Sequence, residues 1–173
     1  MRRATALIAV ICAVILGTVA AAGTMSQDSA GVMRYERAFV NAWHFGCHAD
    51  ACQGGPAPFE PIVLSSPVSE DAVDVVVTVT MDYETTPGDS GILRMHLDPP
   101  GSASSAMKPG DFILDSNGAR TTTSLSWIAR SVPAAGEELE FRLHALPRKG
   151  SADGHFHIRG SRFTVVIEIW SSG

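Results

Sequence analysis

Two histidines and two cysteines stand between His44 and Cys52, in the stretch WHFGCHADACQGG that runs from position 43 to 55. Further along, His96 and His144 stand singly, and His155 and His157 flank Phe156. Imidazole and thiolate are the side chains that hold zinc and copper, and two cysteines are also what a disulfide needs. Spacing decides between these chemistries. Zinc sites of this composition normally draw ligand pairs from separated segments, whereas His44, Cys47, His48 and Cys52 share one short stretch, where closing a tetrahedron would strain the chain. A bridge between Cys47 and Cys52 is the expected chemistry. Closing so short a loop restrains the unfolded chain by roughly 2 kcal/mol on the loop-entropy account.

The other four histidines form a second set. In an extended segment alternate residues share a face, so His155 and His157 present two imidazoles on one side, as copper and zinc sites on sheets do. His96 and His144 fall on polar positions of alternating runs. These four, His96, His144, His155 and His157, are the candidate metal ligands. They are expected on solvated faces, without convergence on one ion and with no cofactor. The segment HFHI resembles the H-x-H ligands of copper–zinc superoxide dismutases. The further histidine spacing of that family is lacking, and the pair lies near the C-terminus instead of early.

Gly88-Asp89-Ser90-Gly91 resembles the nucleophile motif of chymotrypsin-like serine proteases, and AWHFGC loosely resembles that family's histidine motif. The order His44, Asp82, Ser90 matches base, orienter and nucleophile. The resemblance implies a nucleophilic Ser90, but that family spreads its triad over two barrels and carries a second glycine after the serine. Here Asp82 and Ser90 lie close in sequence at mid-chain, and the same four residues after Pro87 are what a tight hairpin turn uses. No phosphate-cradling glycine loop, H-E-x-x-H, nucleophile elbow or calcium loop occurs. Carboxylates in DYE (82–84) and EELE (137–140) alternate mostly onto the polar face. The expectation is a protein that is not an enzyme, with an extracytoplasmic metal-binding protein as the alternative and a hydrolase as the third class.

Strands must position these groups. In VDVVVTVTMDYE, Val73, Val75, Val77, Val79, Met81 and Tyr83 share one face, while Asp74, Thr78, Thr80, Asp82 and Glu84 share the other. The same period recurs in Leu93/Met95/Leu97, Leu125/Trp127/Ala129, Leu139/Phe141/Leu143/Ala145 and Phe163/Val165/Ile167/Ile169, with DFILDS (111–116) as a shorter candidate. TTPGDSG, SNGA, PAAGEE and PRKGSADG supply turns. This pattern predicts one all-β domain over 32–173, an antiparallel β-sandwich of immunoglobulin or fibronectin-III-like type. Residues 32–46 fit a helical stripe and a strand equally, 54–61 read as a loop, and 99–110 as a long one. Trp127 is expected in the core. Trp170, opposite Ile167 and Ile169, is the candidate binding residue on the outer face.

Compartment and charge limit the partners. Met1-Arg2-Arg3, an apolar run and Ala20-x-Ala22 form the pattern of a secretory signal peptide over 1–22, with cleavage after Ala22; an uncleaved membrane anchor is the other reading. Residues 23–31 read as a flexible tether. Removing Arg2 and Arg3 from the 13 basic residues leaves 11 against 18 acidic, which moves the formal charge from −5 to −7. An acidic domain without a basic run argues against nucleic acid and anionic membranes. Arginine far outnumbers lysine, a compositional hint of a high-GC bacterial genome. The expected protein is secreted or envelope-associated, with an envelope or extracellular ligand as partner.

Overall fold

The computed structural model describes residues 23–27, 32–39, 43–48, 51–52, 55–56, 61–65, 72–98, 105–133, 138–148 and 155–171. The predicted signal segment, 1–22, lies outside these residues, as do positions 28–31 of the tether. The described chain is built of strands: β1 (Thr24–Gln27), β2 (Met33–Phe39), β3 (Trp43–His48), β4 (Ala51–Cys52), β5 (Gly55–Pro56), β6 (Ile62–Ser65), β7 (Ala72–Thr85), β8 (Ser90–Asp98), β9 (Ser105–Leu114), β10 (Thr121–Pro133), β11 (Glu138–Arg148) and β12 (His155–Ser171).

One curled antiparallel sheet runs β1-β2-β12-β7-β10-β9-β8-β11-β5, with β6 also on β11 and β3 also on β12. The pairing of β10 with β9 is a single position, Ile128 opposite Lys108. The sheet folds over at that corner into two layers, β2-β12-β7-β10 and β9-β8-β11-β6. From β6 to β8 and from β9 to β12 successive strands alternate between layers. That is jelly-roll order; the expected immunoglobulin arrangement instead groups A, B, E and D against C, F and G. The sandwich expectation agrees with the structure, and the strand order corrects its subtype.

Alternation builds the interior. Val75, Val77 and Val79 of β7 face Ile169, Ile167 and Val165 of β12 on one side and Ala129, Trp127 and Leu125 of β10 on the other. All but Ala129 are buried, and they pack against Leu93, Met95 and Leu97 of β8 and Leu139, Phe141 and Leu143 of β11. Each such side chain taken from water contributes about 1.5–3 kcal/mol. Trp127, fully buried, donates its indole N–H to the Gly110 carbonyl at 2.8 Å and meets Phe112 edge-on at 5.0 Å, which ties β10 to β9 at the corner.

Several sequence expectations are refined. Residues 33–39 and 43–48 are strands whose edges complete ladders with β12, which resolves the helix-or-strand alternative for those positions; 40–42 lie outside the described residues. Part of the expected tether, Thr24–Gln27, pairs with β2. The expected 99–110 loop is strand from Ser105 onward, where β9 pairs β8. Asp82, expected on the solvated face, is buried because Arg120 donates to its Oδ2 and the Thr122 hydroxyl donates to its Oδ1 at 2.6 Å. SNGA is a turn as read: Ala119 N–H donates to the Ser116 carbonyl at 2.9 Å, with Asn117 and Gly118 both at positive φ, the type I′ geometry these residues favour.

Gly91 shows what the GDSG stretch does in the fold. It is the second residue of β8, beneath Phe156, and a Cβ there would stand 2.6 Å from atoms of that fully buried ring. Gly91→Ala should therefore lower stability by about 1–3 kcal/mol, the usual range for overpacking. Ser90→Ala, one residue earlier, should stay within about 0.5 kcal/mol. Urea midpoints of the two variants check this.

Candidate functional site

The register sorts the sequence-predicted residues into separate places. Cys47 and Cys52 are direct partners in the β3–β4 ladder, so their Cα atoms sit about 4.5–5.5 Å apart, inside the span a disulfide bridges. Because 43–48 is a strand, positions 44, 46 and 48 lie on one face and 45 and 47 on the other. The side chains of His44, Cys47, His48 and Cys52 lie outside those the structure describes. Of the protease-like trio, Asp82 is engaged by Arg120 and Thr122, while Ser90 starts β8 opposite Arg148 in the other layer. Trp170 lies opposite Asp74 on the outer face and is half-buried, less open than its sequence position suggests.

The four candidate histidines come together in two pairs, one per layer. His155 and His157 on β12 hold their rings 6.0 Å apart. His96 of β8 and His144 of β11 are diagonal neighbours whose rings lie 4.5 Å apart at 48°. Among the described residues no group of three or more His, Cys, Asp or Glu side chains is placed to hold a metal ion.

The β8–β11 pair sits within a mosaic of charge. Arg94 of β8 faces His144 of β11 and Asp111 of β9, and His96 faces Arg142. Arg94 forms a two-pronged ion pair with Asp111, at 2.5 and 2.8 Å. Arg142 stands between two carboxylates that oppose each other across the ladder, 2.7 Å from Glu140 and 3.2 Å from Asp98. Sequence alternation placed Arg94, His96, Asp98, Glu140, Arg142 and His144 outward. It could not show that β8 and β11 are neighbours, nor that Asp111 joins them, since register is a property of the assembled sheet.

Both imidazoles are held below the ordinary histidine value of 6.5. Burial is the leading cause for each; for His96 the Arg94 guanidinium follows, and for His144 the neighbouring His96 ring and then Arg142 and Arg94. Asp98 opposes the shift in both. The pair is therefore neutral at pH 7, each ring offering one donor and one acceptor. A depressed folded pKa means that the unfolded chain takes up protons first as pH falls. The contribution of the neutral pair is intact above 6.5 and is lost as pH falls below it toward the depressed values. The urea midpoint should drop through that window, and the double variant His96→Gln/His144→Gln should flatten the drop.

No protein-family model and no curated protein sequence matches this chain. Solved structures resemble it in fold at low identity. "Structure of infectious bursal disease virus Gt strain" aligns over 86% of this chain and 39% of that one, with 10% identity and a TM-score of 0.46; this chain thus spans about two fifths of that chain's length. "CBM4 structure and function" aligns over 80% and 84%, with 12% identity and a TM-score of 0.32. TmCBM61, solved in complex with beta-1,4-galactotriose, aligns over 83% and 86%, with 11% identity and a TM-score of 0.32. What is similar is an all-β sandwich.

Proposed function

We propose that this chain is an exported, non-catalytic β-sandwich that binds a neutral polyhydroxylated ligand, of the saccharide class, on the outer face of β8 and β11. The observation that carries the reading is the mosaic around His96 and His144. Arg94 and Arg142 are held by Asp98, Asp111 and Glu140, and the imidazoles between them are neutral. Fixed donors and acceptors thus alternate on a flat surface with little net charge. A polyanion would meet the carboxylates and a polycation the guanidinium groups, whereas hydroxyls donate to the first and accept from the second. With strands about 4.8 Å apart and about 3.4 Å per residue, three strands by five positions measure roughly 10 by 14 Å, the footprint of one or two sugar rings.

Affinity electrophoresis of the untagged mature protein in gels holding a neutral β-glucan, galactan or mannan tests this reading. At least one polymer should retard the protein, and His96→Ala/Arg142→Ala should weaken the retardation tenfold or more while Trp170→Ala leaves it. Retardation by none of them, or retardation indifferent to the double variant, overturns the assigned face.

Export and a Cys47–Cys52 bridge belong to the same proposal. They are supported by the N-terminal signal pattern, by the oxidising compartment it leads to, and by the direct pairing of positions 47 and 52. Intact-mass analysis of exported protein, alkylated under denaturing conditions without reduction, should give a chain beginning at Gly23 with no alkyl group added. Two alkyl groups on that chain would refute the bridge, and a full-length product alone would refute cleavage.

A further inference from the structure

The ladder between β9 and β10 consists of Ile128 opposite Lys108 and is not continued. Continuing that register would set Ala129 opposite Met107 and Arg130 opposite Ala106. Instead each strand holds to its own layer: Ala129 pairs with Val75 of β7, and Ala106 pairs with His96 of β8. A groove of about 530 Å³ opens where those pairs are missing, lined by Ala106, Met107, Lys108, Ile128, Ala129 and Arg130. That volume is within the range of about 300–1,000 Å³ usual for small-ligand sites.

The lining changes character with depth. Met107 is buried and Ala129 packs against the core, whereas Ile128 is 40% exposed and the Arg130 side chain 75% exposed. Residues of the inward and outward faces of both strands thus meet in one groove, which makes it a breach in the sheet that leads toward the core. The small side chains of Ala106 and Ala129, on facing strands, leave the space. The floor is apolar and the rim carries two cations. Arg130 is shared with Asp74 at 3.3 Å, while Lys108 forms no ion pair among the described residues.

We propose that this groove, separate from the β8–β11 face, binds an aliphatic monocarboxylate of medium chain length, its tail against Met107, Ala129 and Ile128 and its carboxylate at Lys108 on the rim. The charge of the rim selects the head group: Lys108 and Arg130 against Asp74 leave one positive charge in excess on a chain whose net charge is −5, and an alkyl cation would be repelled. A strand from another molecule does not fit, because Pro109 has no N–H to donate and Ser131 at φ 51 turns β10 aside. The head group lies at the solvent edge, where an ion pair contributes little, so the affinity comes from burial of the tail and grows with its length. Both walls are pinned by their ladders to β7 and β8, so the groove stands open before a ligand arrives and binding costs little ordering of the chain.

Isothermal titration of the untagged exported protein with sodium hexanoate, octanoate and decanoate, each below its micelle concentration, tests the site. Decanoate should bind saturably at one equivalent, and affinity should rise about two- to fourfold for each added methylene, as partial to full burial of the tail gives. Octanol should bind about three- to tenfold more weakly than octanoate, the size of a surface ion pair, and octylammonium more weakly still. Lys108→Gln should remove the preference for octanoate over octanol. Ala106→Phe, which fills the groove from an exposed position, should abolish binding of all three acids, while His96→Gln/His144→Gln should leave it unchanged. Far-UV circular dichroism of each variant confirms the fold; should Ala106→Phe not fold, Ile128→Thr, also at an exposed position, should weaken decanoate more than hexanoate. No saturable binding, affinity indifferent to chain length, octanol or octylammonium bound as tightly as octanoate, or binding unchanged in the folded groove variant would each overturn the proposal.

Discussion

The pairing of β7 with β12 runs from Val73 opposite Ser171 to Thr85 opposite Phe156, broken by one irregularity between Arg159 and Thr164. Along that ladder, side chains alternate between the interior and the outer face, so a slip of one residue would carry every inward-facing valine and isoleucine to the surface. Burial of Val75, Val77 and Val79 on one side, matched by Ile169, Ile167 and Val165, excludes the slip energetically. The surface chemistry inherits its order from this constraint. Glu84 stands beside His157 because Val79 stands beside Val165, with the irregularity accounting for the offset between the two stretches. A ladder without that irregularity would place a different residue opposite His157.

The two layers rely on small residues and one large one. Gly91 lets the second layer approach Phe156 closely, and Trp127 fills the corner while its N–H donates to the Gly110 backbone carbonyl. Polar groups near the turn between β7 and β8 are satisfied locally. Thr85 and Ser116 exchange hydrogen bonds between side chain and backbone, at 2.7 and 3.0 Å, and Asp89, though buried, lies where its N–H donates to the Thr86 carbonyl. These hydrogen bonds cross-link this end of the sandwich.

Much of the fold was legible because β7, β8, β10, β11 and β12 repeat a two-residue period that has no competing helical reading. The inward set Leu93, Trp127, Phe141 and Ile167 could be named from that period alone. What could not be read was anything set by pairing partners. The order of strands, the burial of Asp82 under Arg120 and Thr122, and the diagonal contact of His96 with His144 each join residues dozens of positions apart, and no local signal encodes them. Residues 32–46 failed to declare a period for a related reason. Arg37 and Asn41 interrupt the apolar face, and the strands there are fixed by the edge of β12 instead of by their own pattern. Trp170 is half-buried, and its exposure depends on neighbours in β7 that its own sequence does not show.

The single pairing of Ile128 with Lys108 leaves long stretches of β9 and β10 as the borders of their layers. Open borders of this kind recruit strands from other molecules. Here the border is unwelcoming. Pro109 has no N–H to donate, and Ser131 at φ 51 bends β10 through the irregularity between Ala129 and Val132. Lys108 and Arg130 flank the groove where a visiting strand would start to zip, around Ile128 and Ala129. Two like charges so placed repel a second copy of the same border and break the flat run that stacking requires. The corner that lets the sheet fold over on itself thus also gives that border features that oppose the addition of a further strand.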